Sequence, residues 1–214
     1  MNDQIPSATD SEKILGGHSV TFYNWIKCIS DYLFSVLFLI LLSPGIIILI
    51  IVIRFSGKGP IIYKQDRVGK DGKPFSIYKF RSMVYDAEKE EPLLSRSKEE
   101  RVTATGRFLR KYRIDEIPNL INVLKGEMSI VGPRPERSFF INQIIKSVPQ
   151  YTELQRVKPG VTSWGQVKYG YASNVKEMIE RLDYDLYYMK NRSLWLDIKI
   201  AFFTISTILK GKGM

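Results

Sequence analysis

From Tyr32 to Ile53 the chain reads YLFSVLFLILLSPGIIILIIVI and carries no charge. As a straight helix rising 1.5 Å per residue this stretch reaches roughly 33 Å, enough to cross a bilayer. Ser43 and Pro44 stand at its midpoint. Proline removes a backbone donor, crowds the preceding turn and bends or breaks a helix, and the Ser43 hydroxyl is placed to satisfy a carbonyl freed in lipid. Each half is then roughly ten to twelve residues, the length of a re-entrant segment. Lys13 and Lys27 precede the stretch, and Arg54, Lys58, Lys64, Arg67 and Lys70 follow it. Basic residues on both flanks predict a hairpin with both ends on the cytoplasmic side rather than a span. The run is too long for a signal peptide, and no small-residue cleavage site follows.

The remaining pattern is shorter and mixed. Residues 1–20 are polar without a sustained period and read as a flexible leader. Ile61 to Tyr63 and Phe75 to Tyr78 are short apolar runs either side of Lys70-Asp71-Gly72-Lys73, which predicts two strands and a turn. Residues 84–101 are charge-rich, interrupted by Pro92, and read as a solvated helix and linker. A helix opens at Thr105. A second is expected from Asp115 to Gly126, with Ile117, Leu120, Ile121 and Leu124 apolar. Ser138 to Arg156 reads as an amphipathic helix plus turn. Pro159-Gly160 begins a turn and a strand-like piece carrying Trp164, either core or pocket wall. Asp183-Tyr184-Asp185 is an Asp-x-Asp inside an aromatic helical stretch, a weak metal candidate. Trp195, Ile198, Phe202, Ile205 and Leu209 form one apolar stripe, fit to pack on a core or lie in a membrane interface.

Charge and composition narrow the chemistry. The 214 residues carry a formal charge of +10, so the partner is anionic: nucleic acid, acidic lipid or a phosphorylated small molecule. The single cysteine, Cys28, excludes an internal disulfide and fits a reducing compartment. With His18 the only histidine, a histidine triad or multi-histidine zinc site is close to excluded. The glycines form neither GxGxxG nor a phosphate loop ending Gly-Lys-Ser/Thr. Nucleophilic attack or proton transfer therefore falls to carboxylates or to less usual groups.

Arg110 to Glu136, RKYRIDEIPNLINVLKGEMSIVGPRPE, concentrates what such chemistry needs. Asp115 and Glu116 are adjacent carboxylates beyond the cations Arg110, Lys111 and Arg113. As a lone pair they would serve equally as N-cap and first-turn acid of a helix, each contributing roughly 1 kcal/mol or less. Bound Mg²⁺, however, takes hard oxygens from one or two carboxylates and substrate phosphates, while guanidiniums grip phosphate in bidentate fashion. Pro133 and Pro135 stiffen the backbone on either side of Arg134.

The run IDEIPNLINVLKGEMSIVGPRPE resembles the core signature of the bacterial sugar transferases, small monotopic phosphoglycosyl transferases. The similarity extends to Ser43-Pro44, to KFRSM at 79–83 and to VKPGVTSWGQV at 157–167, and covers roughly residues 25–210. It implies an α+β, predominantly helical fold: a re-entrant helix-break-helix anchor at 21–56, then a catalytic domain at 57–214 with a short hairpin and interfacial amphipathic helices, on the cytoplasmic face of the bacterial inner membrane. It implies transfer of a sugar-1-phosphate from a UDP-sugar to polyprenyl (undecaprenyl) phosphate, with Mg²⁺ as cofactor and UMP released. Asp115 would attack through a covalent aspartyl phosphosugar. Asp115 and Glu116 would hold the metal, and Arg110, Arg113, Arg134, Lys79 and Arg81 would bind phosphate. Pro133, Pro135, Glu136, Trp164 and Gln166 would line the pocket. Some relatives keep an arginine close after the Gln-Val pair; here that place reads Lys168-Tyr169-Gly170-Tyr171, and Arg181 is the candidate substitute.

Two rivals remain open at this stage. One is a non-enzymatic, membrane-anchored basic module for acidic lipid or nucleic acid, which accounts for the charge but not for carboxylates among the cations. The other is direct attack by polyprenyl phosphate without a covalent intermediate. The expected partners are UDP-sugar, polyprenyl phosphate and membrane lipid, without nucleic acid, and a homodimer is compatible with the reading.

Overall fold

The computed structural model describes residues 17–84, 101–211 and 213, with side chains from residue 21 onward. Helix α1, Gly17–Phe55, contains the whole apolar stretch and has Pro44 inside it. The expected interruption is absent from its helical path, and the last residues assigned to the leader are already helical. The reason is local. Pro44 has no N–H to give the carbonyl of Ile40, and the Ser43 hydroxyl donates to that carbonyl instead at 2.7 Å.

Contacts along α1 fall in two blocks. Positions at steps of three and four from Tyr23 to Leu39, and again Ile46, Leu49 and Ile53, are at least half-buried, whereas residues 40–45 are exposed throughout. The first block is held by polar groups. Tyr23 donates to Asp197 at 2.9 Å, Lys27 pairs with Asp197 at 2.8 Å, and Asp31 accepts from Ser129 at 2.6 Å. The second is apolar, Ile46, Leu49 and Ile53 packing with Phe80 and Leu109. Arg81 closes the end of α1, donating to the carbonyls of Ile53 at 2.6 Å, Gly57 at 2.8 Å and Gly59. Ile53 lies in the last turn of α1, where carbonyls run short of intrahelical partners, and Gly57 and Gly59 lie just beyond it.

Strands β1, Ile62–Val68, and β2, Pro74–Phe80, pair antiparallel around a 3₁₀ turn at Lys70–Gly72, as the sequence pattern predicts. Helix α2, Ala104–Lys111, starts at Thr103, whose hydroxyl caps the Gly106 N–H at 2.9 Å. A 3₁₀ turn at Ile114–Glu116 then leads to α3, Asn119–Leu124. Asp115 is thus not the cap of the expected helix. That helix buries Leu120 and Val123, and Ile121 lies exposed. Asn122 is wholly buried and ties α3 to β2, giving its amide to the Ser76 carbonyl at 2.8 Å.

Strand β3, Ser129–Val131, was not visible in the pattern. It pairs in parallel with β4, Gly160–Thr162. Helix α4, Ser138–Ser147, is followed by a 3₁₀ segment at Pro149–Arg156. Trp164 lies not on a strand but at the start of α5, Trp164–Lys168. Helices α6, Val175–Lys190, and α7, Leu194–Leu209, complete the chain. One core gathers Phe140, Ile144, Tyr151, Leu154, Met178 and Leu182; another gathers Val131, Trp164, Tyr188, Leu196 and Ile200. On α7 the buried edge is Leu196 and Ile200. The longer stripe Trp195, Ile198, Phe202, Ile205, Leu209 faces outward, 54–77% exposed. The charge-rich stretch expected as helix and linker lies almost wholly outside the described residues.

Candidate active site

The site is assembled from β2, the α2–α3 connection and the loop after β3. Gly106 lets α2 press onto the strand exit, since a Cβ there would lie 1.8 Å from the Ser82 carbonyl oxygen. One turn further along, Arg110 donates from Nε to the Ser82 hydroxyl at 2.9 Å. Its buried Nη1 has no partner among the described residues. Arg113 ends α2 in the left-handed region at φ 53°, an unfavourable backbone for a residue with a Cβ. The reversal turns Ile114–Glu116 inward, leaving Asp115 6% and Glu116 8% exposed.

The two carboxylates have opposite surroundings. Glu116 is ringed by cations: Lys79 Nζ at 2.8 Å, Arg134 Nη2 at 3.4 Å and Arg113 Nε at 3.5 Å. Burial pushes its pKa up, but these charges outweigh burial and hold it well below the usual carboxylate range. Asp115 forms no ion pair among the described residues. Its pKa is raised, first by burial; the Glu116 charge adds to the rise, while Lys79, Arg110 and Arg113 oppose it. Glu116 absorbs the nearest cations, and Asp115 remains a buried carboxylate beside positive charge with its oxygens free.

A second acidic centre adjoins the first. Glu136 meets Arg181 Nη2 at 2.8 Å, Arg67 Nη1 at 3.1 Å and Arg134 Nε at 3.8 Å, and these arginines hold its pKa down against burial. Arg134 therefore bridges Glu116 and Glu136, and its own pKa is raised by both. Around the three carboxylates stand Lys79, Arg67, Arg110, Arg113, Arg134 and Arg181. The excess of positive charge suits an oligophosphate.

Most of the expected site residues converge here: Asp115, Glu116, Arg110, Arg113, Arg134, Lys79 and Glu136. Arg81 does not, being occupied by the end of α1. Pro133, Pro135 and Glu136 line a cavity of only about 20 Å³, with Tyr151 and Leu154 behind it. Trp164 is buried core against Phe203, at 6.1 Å between ring centroids. Of the Asp-x-Asp pair, Asp185 is buried and accepts from the Gly165 N–H at 2.9 Å, while Asp183 is exposed. Gln166 is buried, and neither end of its amide has a partner among the described residues. Arg67 was not anticipated as a site residue. In sequence it is one cation among the basic residues after α1, and only the meeting of β1 with the loop after β3, where the Val68 N–H donates to the Glu136 carbonyl at 3.0 Å, brings it to Glu136. Arg181, the candidate substitute for the arginine missing after the Gln-Val pair, joins Arg67 and Arg134 around Glu136.

For a divalent cation the donor set fits through one carboxylate. Asp115 offers uncommitted hard oxygens, and substrate phosphates would complete the shell. The Glu116 oxygens are already taken by three cations. Among the described residues no three His, Cys, Asp or Glu side chains are placed to share a metal ion.

The family described as "Bacterial sugar transferase" matches residues 22–211. The chain is 42% identical over 191 residues to UDP-N-acetylgalactosamine-undecaprenyl-phosphate N-acetylgalactosaminephosphotransferase of Aeromonas hydrophila, covering 89% of this chain and 45% of that protein. It is 38% identical over 203 residues to UDP-glucose:undecaprenyl-phosphate glucose-1-phosphate transferase of Klebsiella pneumoniae, covering 94% of this chain and 43% of that one. It thus spans less than half the length of these two relatives. A third, the uncharacterized sugar transferase EpsL of Bacillus subtilis, is 37% identical over 193 residues, covering 88% of this chain and 90% of the relative. With a family match over nearly its whole length, and a cation-rimmed pair of carboxylates inside that match, the chain belongs to the bacterial sugar transferase family.

Proposed function

We propose that this protein transfers a sugar-1-phosphate from a UDP-sugar to polyprenyl phosphate at the cytoplasmic face of the bacterial inner membrane, with Asp115 as nucleophile. One observation carries the reading: Asp115 is buried beside Lys79, Arg110 and Arg113 yet forms no ion pair among the described residues, because Glu116 holds the nearest charges. An Asp115 carboxylate oxygen attacks the sugar-bearing phosphorus. The bond from that phosphorus to the bridging oxygen breaks, and UMP leaves with the electron pair. A phosphate oxygen of the polyprenyl acceptor then attacks the same phosphorus, the Asp115–phosphorus bond breaks, and the carboxylate returns. Arg110 and Arg134 neutralise phosphate charge in both steps. Asp115 would hold a Mg²⁺ ion together with substrate phosphate oxygens, and the ion would supply further charge neutralisation there. The names of the first two relatives support the substrate classes.

The anchor is monotopic in this reading. Both blocks of α1 contact the same domain, through Asp197 and Ser129 on one side of the helix midpoint and Phe80 and Leu109 on the other, with the exposed stretch 40–45 between them. A segment leaving through the far side of a bilayer would keep such contacts at one end only. The outward stripe of α7 supplies a second apolar surface for the membrane interface.

The test is Asp115→Asn with UDP-sugar and Mg²⁺. UMP release is expected to fall by on the order of a thousandfold or more. Release at the wild-type rate removes Asp115 as nucleophile. A labelled phosphosugar retained on wild-type protein without acceptor supports the covalent step; none, with turnover intact, supports direct attack.

A further inference from the structure

Asp31 stands on α1 immediately before the uncharged run, yet its side chain reaches into the catalytic domain. Its Oδ2 accepts from the Ser129 hydroxyl at 2.6 Å and its Oδ1 from the Ile130 N–H at 3.3 Å. Strand β3 has β4 as its one strand partner among the described residues, so an edge of it depends on acceptors from outside the sheet. Anchoring alone does not call for this contact. Tyr23 and Lys27 already fasten the same stretch of α1 to Asp197, at 2.9 and 2.8 Å.

What Asp31 adds is a hold on β3, and β3 runs straight into the clamp. Gly132 follows the strand, packed so closely that a Cβ would lie 2.6 Å from the Lys158 carbonyl oxygen. Pro133 and Pro135 then stiffen the backbone on either side of Arg134. Little slack separates Ser129 from Arg134, whose guanidinium reaches Glu116 at 3.4 Å and Glu136 at 3.8 Å. We infer that Asp31 is a positioning residue of the donor site: from the membrane anchor it fixes Ser129 and Ile130, and so sets where β3 delivers Arg134. Donor binding then depends on how α1 is seated as well as on the catalytic domain's own packing. The inference rests on the reading of Arg134 as a ligand of donor phosphate.

The test uses full-length protein in detergent micelles with Mg²⁺, and calorimetric binding of UDP, the part that all UDP-sugars share. Asp31→Ala is expected to weaken UDP roughly tenfold or more, and Ser129→Ala, which removes the facing hydroxyl, should weaken it in the same direction. Tyr23→Phe removes a hydrogen bond of the same helix away from β3; it should lower Tm and leave UDP affinity unchanged. In an Arg134→Lys background, Asp31→Ala should add little further loss, because both substitutions act through one guanidinium. Unchanged UDP affinity in folded Asp31→Ala, or in Ser129→Ala should the first variant melt early, overturns the assignment. An equal loss in Tyr23→Phe marks a general loosening of the anchor and overturns it too, as does an undiminished further loss beside Arg134→Lys. Wild-type protein that binds no UDP sinks the donor reading itself, and this inference with it.

Discussion

Lys79 Nζ lies 2.8 Å from Glu116 Oε1, so the shortest ion pair around the two adjacent carboxylates goes to Glu116 and not to Asp115, the proposed nucleophile. In that reading the neighbours divide labour: Glu116 fixes the cations, and Asp115 uses their field.

That division has a pH signature. Asp115 must be ionised to attack, and its raised pKa puts the acid limb of UMP release above the ordinary aspartate range, near 4. Glu116→Gln removes a charge that raises this pKa, so the limb should move to lower pH. Lys79→Met removes the main charge that lowers it, so the limb should move to higher pH. The checking measurement is kcat/KM for UMP release against pH. Shifts in the same direction in both variants would contradict the arrangement.

The same groups set acid stability with opposite signs. Glu116 and Glu136 have depressed folded pKa values, so their contribution is complete above the unfolded glutamate value and is lost as pH falls toward the folded one. Asp115, raised, costs stability at neutral pH and relieves that cost on acidification. Thermal melts from pH 7 down to about pH 3 should show Tm falling, and falling less in Glu116→Gln than in wild type.

Gly106 gives a steric prediction. A Cβ placed 1.8 Å from the Ser82 carbonyl must push α2 off the strand exit, and Arg110 moves with it. Gly106→Ala should lose about 1–3 kcal/mol, the usual cost of overpacking, and raise the KM for UDP-sugar. Denaturant melts and initial rates separate the two effects; an unchanged KM would detach Arg110 from the donor.

Arg81 gives the contrasting case. Its guanidinium serves carbonyls at the end of α1, and Arg81→Ala leaves them short of partners at a cost of roughly 1–3 kcal/mol. Tm should fall with KM for UDP-sugar unchanged. A raised KM at unchanged Tm would restore Arg81 to phosphate binding.

The anchor is tested by labelling. In a Cys28→Ser background, Asn24→Cys in intact inner-membrane vesicles should react with an impermeant maleimide from the same side as a cysteine substituted at exposed Lys125. Reaction from opposite sides excludes the monotopic arrangement.

The sequence by itself determined the parts whose information is contiguous. An uncharged run specified the long apolar helix, and Ser43 the hydroxyl that satisfies the Ile40 carbonyl, whereas the break expected at Ser43-Pro44 is absent from the helical path. Apolar runs around Lys-Asp-Gly-Lys specified the hairpin, and the Asp-Glu to Pro-Arg-Pro-Glu run specified most of the site. Those features act within a few residues of themselves, through backbone chemistry and period. Tertiary structure decided everything that depends on which distant charges meet. A carboxylate's ionisation is fixed by neighbours from other elements, so nothing in Asp115-Glu116 reveals that Lys79 and Arg134 choose Glu116. Arg67 and Arg181 become partners of Glu136 only because a strand and a helix converge on it. Arg81 looked like a phosphate ligand until the end of α1 presented it with carbonyls. The α7 stripe has the same period buried or exposed, and only packing showed that Leu196 and Ile200 face the core while the larger residues face outward.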